Sequence, residues 1–241
     1  MPRHPANRAR AWVRVAWALG TLIVVETLVC GLAALPIVLG WRAIGAWVPL
    51  ERGWGPALIA LALVPSYAGF ALLLMIVSAG ATRILGWRTP ADAAMRIVDF
   101  DWPLLTWVRY VASGRVVRVL AGGLYCGSPV WSLYVRLNGA RMGRRVWLNT
   151  VDLADHNLLE FGDDVVVGAD VHLSGHTVEG GVVKTGRVRL GAGVTVGLES
   201  AIDIDVEAGA GCQIGALAFV PKHSRLEAGR VYVGIPVRPL D

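Results

Sequence analysis

With 241 residues, 55% of them hydrophobic, and a mean hydropathy of +0.54, the chain is too apolar for an ordinary water-soluble domain and points to membrane segments. Its net charge of +5 is divided, with 16 Lys/Arg against 5 Asp/Glu in residues 1–150 and 7 against 13 in residues 151–241. The arginines of the basic half flank apolar runs, which argues against nucleic acid and for an anionic lipid surface.

Met1 to Arg14 carries Arg3, Arg8, Arg10 and Arg14 and no acid. An apolar run follows from Val15 to Val38, broken only by Glu26. About 20 helical residues cross a bilayer, so this run is long enough to span. It is also longer than a signal-peptide core, and a second span follows, so a retained membrane helix is expected. Glu26 is costly in hydrocarbon. It either stays neutral against a neighbouring helix or serves as a relay.

Trp41 to Pro56 reads as a connector, and Trp41, Trp47 and Trp54 suit a bilayer interface. Ala57 to Ala81 has no charge and gives the clearest span; Pro65 inside it is tolerable. Arg83 and Arg88 follow. Basic residues before the first span and after the second place both termini in the cytoplasm, and the chain reads as a multi-pass membrane protein.

Thr89-Pro90-Ala91-Asp92 looks like a helix start. The stretch to Ala140 is apolar but carries Arg96, Arg109, Arg115, Arg118 and Arg136 with Trp102, Trp107 and Trp131. It reads as amphipathic helices that lie on the membrane or cap the C-terminal domain. Gly122-Gly123 and Gly127-Ser128-Pro129 break it. Three units are expected: a membrane anchor (1–88), an interfacial or capping helical segment (89–141) and a repeat (142–241).

Leu190 to Pro221 has a period of six. Leu190, Val196, Ile202, Ala208, Ile214 and Val220 take the first position of each block. Gly191, Gly197, Asp203, Gly209, Gly215 and Pro221 take the second, and Val194, Ser200, Val206, Cys212 and Ala218 the fifth. Such a period is a repeat, with three hexads making one triangular coil of short strands. The phase also holds at Met142 to Trp147, slips from Leu148 to Glu160 and resumes at Phe161. Phe161 to Lys222 then gives three to four coils. From Leu173 to Leu190 is one residue short of a full coil, so Glu179 to Arg187 is expected to leave the repeat as a loop. Leu226 to Asp241 reads as a closing cap. Cys30, Cys126 and Cys212 stand alone and read as buried apolar fillers, with no disulfide framework.

These blocks resemble the hexapeptide-repeat acyltransferases. The tail strengthens the likeness: Ala218-Phe219-Val220-Pro221-Lys222, then Ala228-Gly229, then Val231-Tyr232-Val233-Gly234-Ile235-Pro236. The resemblance implies a left-handed parallel β-helix after two transmembrane helices and an amphipathic helical segment. It also implies a trimer and a pantetheine thioester, either coenzyme A or a carrier-protein phosphopantetheine, as acyl donor. A narrower resemblance covers nearly the whole chain. Two spans, an Arg-rich helical piece ending in Tyr134-Val135-Arg136-Leu137-Asn138-Gly139-Ala140-Arg141-Met142-Gly143, and the repeat look like one membrane-anchored C-terminal unit of the ε-poly-lysine-synthetase type of nonribosomal peptide synthetase. That implies amide-bond formation on a carrier-bound aminoacyl thioester.

His176 is the expected catalytic base. It stands at the fourth position of its hexad, facing outward beside the loop, where a neutral imidazole takes a proton from an amine or hydroxyl. Glu179, three residues on, either orients the imidazole or is a surface acid. Lys222 matches the family's lysine near a coenzyme or phosphopantetheine phosphate, or is a solvated cap residue. Gly197 and Gly215, with Gly191, permit close approach of a pantetheine arm, although turns alone account for them. His156, His172 and His176 offer a rival zinc hydratase reading like that of the β-helix carbonic anhydrases. No metal is expected on the preferred reading. The leading function is a membrane-anchored acyl or aminoacyl transferase. A non-catalytic membrane scaffold is the main alternative.

Overall fold

A computed structural model describes residues 5–240, with side chains from Ala9 onward; Arg3 and Asp241 lie outside the described residues. Helix α1 runs Pro5–Gly45 and α2 runs Gly55–Ile84. At 1.5 Å per residue, α1 is about 60 Å long, roughly twice the hydrocarbon thickness of a bilayer. The two helices are antiparallel: the Trp41 indole donates to Ser66 Oγ at 3.1 Å, and Ile37 packs on Gly69. Both are long and apolar enough to cross a membrane, and only 11% and 17% of their most apolar windows are buried. That exposure sets them apart from the core helices of a water-soluble domain.

At the other end of this hairpin, Arg14 pairs with Asp101 at 3.0 Å and Trp12 meets Phe100. Helix α3 (Trp102–Val117) starts there, with Pro103 in its first turn. It passes into a π-helical stretch, Arg118–Gly122, and a single turn, α4 (Gly123–Tyr125). A π stretch leaves a carbonyl free of its usual partner. Here the Leu120 carbonyl accepts the Tyr67 hydroxyl of α2 at 2.6 Å. Helix α5 (Pro129–Leu137) is N-capped by Ser128 and lies across the start of the repeat. It buries Trp131, Tyr134 and Val135; Trp131 Nε1 donates to the Thr150 carbonyl and Ser132 Oγ to the Val146 carbonyl. One apolar core therefore runs from Leu74, Met75 and Ala79 of α2 through α5 into the coils.

The repeat is a parallel coil with three faces. On the first lie β2 (Arg141–Met142), β4 (Leu159–Phe161), β9 (Val188–Leu190), β12 (Val206–Ala208) and β15 (Arg225–Leu226). The second holds β3 (Trp147–Leu148), β5 (Val166–Val167), β10 (Thr195–Val196), β13 (Gln213–Ile214) and β16 (Val231–Val233). The third holds β6 (His172–Leu173), β11 (Ala201–Ile202) and β14 (Phe219–Val220), with Leu153 bridged beneath Leu173. The stack is therefore five strands deep on two faces, more than the three to four coils counted from Phe161, and it begins at Arg141, beside the Met142 hexad. The tail contributes β16 to the stack, and β17 (Arg238–Pro239) folds back antiparallel over it. The predicted inward positions are inside: Val194, Val196, Ile202, Cys212, Ile214 and Val220 are all buried.

The register also corrects the loop. Ile202 lies over Val220 at a spacing of 18, but Leu173 lies over Ile202 at 29, an insertion of 11 residues. These residues form an antiparallel hairpin, β7 (His176–Glu179) and β8 (Val182–Thr185), turning at Gly180-Gly181. Its outer strand pairs with β1 (Ala94–Arg96) from the segment before α3. The excursion thus starts at His176 rather than Glu179, and it is a strand pair docked on the helical segment.

Candidate functional site

Asp155 lies where the hexad phase slips. Its φ of 55° is left-handed, a conformation that Asp tolerates better than most residues, and a 3₁₀ turn (His156–Leu158) follows. The slip widens this corner: Leu153 and Leu173 are 20 apart instead of 18. The side chain of Asp155 is fully removed from solvent. Its Oδ2 lies 2.5 Å from His176 Nδ1. Its Oδ1 accepts the Thr89 hydroxyl at 2.5 Å and the Trp107 indole N–H at 3.0 Å. Three donors around the buried Asp155 carboxylate fix its position.

The approach of His176 to Asp155 depends on Gly175. A Cβ there would lie 2.8 Å from Asp155 Cβ and 2.9 Å from Leu158 Cβ. Ser174 holds the strand start, accepting the His176 backbone N–H and donating to its carbonyl. Trp107 stands edge-on to the imidazole, ring centroids 4.9 Å apart. Asn157 secures the loop that carries Thr89, accepting its N–H at 3.1 Å and donating to its carbonyl at 2.8 Å.

A carboxylate only accepts, so Nδ1 of His176 carries the proton, and Nε2 is the basic nitrogen. Among the described residues Nε2 has no hydrogen-bond partner. His176 lines a cavity of about 340 Å³ with Trp107, Tyr110, Arg115, Arg118 and His172. His172 has its own acid at the mouth: Nδ1 is 2.6 Å from Asp152 Oδ2, and Arg118 holds Asp152 Oδ1 at 2.5 Å. The arrangement offers a positioned imidazole nitrogen beside a pocket lined by Arg115 and Arg118.

The other predicted residues stand elsewhere. Glu179 lies at the far end of β7 and binds Lys184 at 2.8 Å and Lys222. These hydrogen bonds, that of Lys184 first, hold its carboxyl down at about 2. It does not orient His176; Asp155 does. Lys222 tethers the hairpin tip to the stack through Glu179. Gly197 and Gly215 follow Val196 and Ile214 at the corner after the second face, whereas His176 and Lys222 follow the third. A Cβ at Gly215 would meet Val233 at 2.8 Å, so close stacking of coils accounts for it. His156 is buried edge-on to Tyr134, and burial pushes its imidazole down to about 4. The three histidines do not converge: among the described residues no group of three or more His, Cys, Asp and Glu could hold a metal ion. Sequence reasoning missed Asp155, Thr89 and Trp107. The phase slip was the signal for the first.

No family model matches the chain. At 23% identity over 212 residues, 86% of it aligns with delta-poly-L-ornithine synthetase of Acinetobacter baumannii (strain AB307-0294), of whose length it spans 15%. The solved structures it resembles are hexapeptide-repeat acyltransferases. A galactoside acetyltransferase in complex with coenzyme A matches at TM-score 0.44 and 18% identity, over 56% of this chain and 81% of that one. A hexapeptide-repeat acetyltransferase from Vibrio cholerae matches at TM-score 0.40 and 12% identity, over 56% and 91%.

Proposed function

We propose that the chain is a membrane-anchored acyl or aminoacyl transferase with His176 as general base and Asp155 as its orienting acid. The observation that carries this reading is the buried Asp155 carboxylate on Nδ1, which leaves Nε2 basic at the cavity. The acyl group comes from a pantetheine thioester of coenzyme A or a carrier protein. Nε2 removes the proton from an amine or hydroxyl as its N or O attacks the thioester carbonyl. The tetrahedral intermediate collapses, the C–S bond breaks, and the proton passes from His176 to the departing thiolate. An amine acceptor, giving an amide, is favoured because the name of the aligned synthetase gives δ-poly-L-ornithine as its product. The coils wind left-handed and the chain forms a trimer, as the hexapeptide-repeat resemblance implies. In that assembly Lys222, Gly197 and Gly215 line the pantetheine arm.

The membrane reading rests on the exposed apolar faces of α1 and α2. Arg10, Arg14, Arg83 and Arg88 gather at the end that carries the coils. The coils and both termini are therefore assigned to the cytoplasmic side. Thiol release from a panel of acyl and aminoacyl pantetheine thioesters, with lysine, ornithine and alkyl amines as acceptors, tests the function. His176→Ala is expected to lower turnover about 10²–10⁴-fold in correctly folded protein. Full transfer by that variant sinks the mechanism.

A further inference from the structure

A second cavity, of about 240 Å³, adjoins the first. Its walls come from Val15, Ala18, Leu19 and Leu22 of α1, Ile97 and Phe100 before α3, Leu104, Leu105 and Val108 of α3, and Val178 and Val183 of the hairpin. Its lining is apolar apart from the Arg109 side chain. Trp107 lines both cavities and packs edge-on to His176. Arg109 stands at the slot, held by the Leu105 carbonyl, Thr21 and Thr106, with its guanidinium over Trp87 and Trp102. Ile97 and Val178, which line it, are exposed apolar residues.

We propose that this slot holds the alkyl chain of a membrane amphiphile whose amine or hydroxyl head is the acyl acceptor at His176. Three observations point to a chain drawn from the bilayer. The lining is apolar apart from Arg109, as alkyl groups require. The slot is continuous with α1 at the first residues of its apolar run, where a membrane-crossing helix leaves the polar interface. Finally, Trp107 lines both the slot and the cavity of the base and packs edge-on to His176, which brings the head of a chain held in the slot close to that base. This deepens the acyl-transfer reading and rests on it for the role of the head group.

The test uses the full chain in phospholipid nanodiscs and dodecylamine carrying a diazirine in its chain, with crosslinks mapped to peptides. Labelling is expected to concentrate on Val15–Leu22, Phe100–Val108 and Val178–Val183, above the level on Leu28–Leu39 and Leu61–Val64. Ala18→Phe and Val108→Phe fill the slot from different helices, and each is expected to abolish the excess. Unlabelled alkyl amines should compete with an affinity rising about threefold to fourfold per methylene until the slot is full. Even labelling of all lipid-facing residues, or no effect of either filled variant, overturns the slot. Labelling by a dodecanoyl-pantetheine diazirine probe in place of the amine overturns it as well, in favour of the donor chain. His176→Ala should label like the wild type. Full transfer by that variant together with slot labelling would defeat the base and leave the slot standing.

Discussion

One corner of the coil carries two His–Asp pairs, and they differ in what lies over them. His176 stands three residues after Leu173, Asp205 three after Ile202 and His223 three after Val220, and those three apolar residues are stacked in register. In the regular part, Asp205 and His223 pair at 2.7 Å with 41% and 63% of their side chains exposed. In the interrupted part, Asp155 and His176 pair at 2.5 Å with 0% and 22% exposed. The coil supplies the pairing in both places. What sets the proposed site apart is the cover: Thr89 and Trp107 reach in from the helical segment, and the hairpin carries His176 beneath them. A pair in water is worth little and performs no selective chemistry; a buried, fully bonded pair fixes a tautomer.

The sharpest way to break this comparison is to make the same change in both pairs. Asp155→Asn replaces the acceptor of the Nδ1 proton with a group that can donate, and permits the wrong tautomer. Turnover is expected to fall about 10²–10⁴-fold with the fold retained. Asp205→Asn should leave turnover unchanged. Its carboxyl is held low by the His223 hydrogen bond and by Arg225, but it lies on the solvent side of the coil. Equal losses in thiol-release assays would show that the cover is irrelevant.

A change confined to the regular stack should move stability without touching chemistry. Ile214 is buried between Val196 and Tyr232 on the second face, away from the His corner. Ile214→Ala is expected to cost about 2–5 kcal/mol, because the closely stacked coils cannot collapse into the cavity. Thermal unfolding in detergent reads the loss. Turnover per folded molecule should stay at the wild-type value. A selective loss of turnover would mean that the stack transmits strain to Asp155.

The same contrast explains what the sequence made legible. Hexads show themselves because every coil places an apolar side chain inward at a fixed step, so the regular part was readable from Leu190 onward. His176 was readable because it stands where that step fails. The length of the failure was not. A gap one residue short of a coil and an insertion of 11 look alike until the face of Leu190 is known. Asp155 is 21 residues upstream of its histidine, inside a stretch with no phase. Thr89 and Trp107 reach the site through helix packing at long range, which no local period records. Glu179 was singled out by nearness in sequence, but along a β-strand three residues carry it about 10 Å away, to the hairpin tip.

That tip supports the smallest and most local prediction. Glu179 ties the hairpin to its own strand through Lys184 and to the regular stack through Lys222. Its folded carboxyl is held at about 2, against about 4.3 for an unpaired glutamate. A depressed acid contributes its stabilisation above the unfolded value and loses it as pH falls toward the folded one. Protection of the Val178–Val183 amides from hydrogen exchange, after correction for intrinsic rates, should therefore hold from neutrality to about pH 4.5. It should then decline toward about pH 2. High salt should reduce it at neutral pH, because the pairs are exposed. Glu179→Gln should remove the pH dependence in that window. It should also lower turnover at pH 7 far less than Asp155→Asn does. A Glu179→Gln loss as large as that of Asp155→Asn would return the orienting role to Glu179 and separate the base from the buried carboxylate.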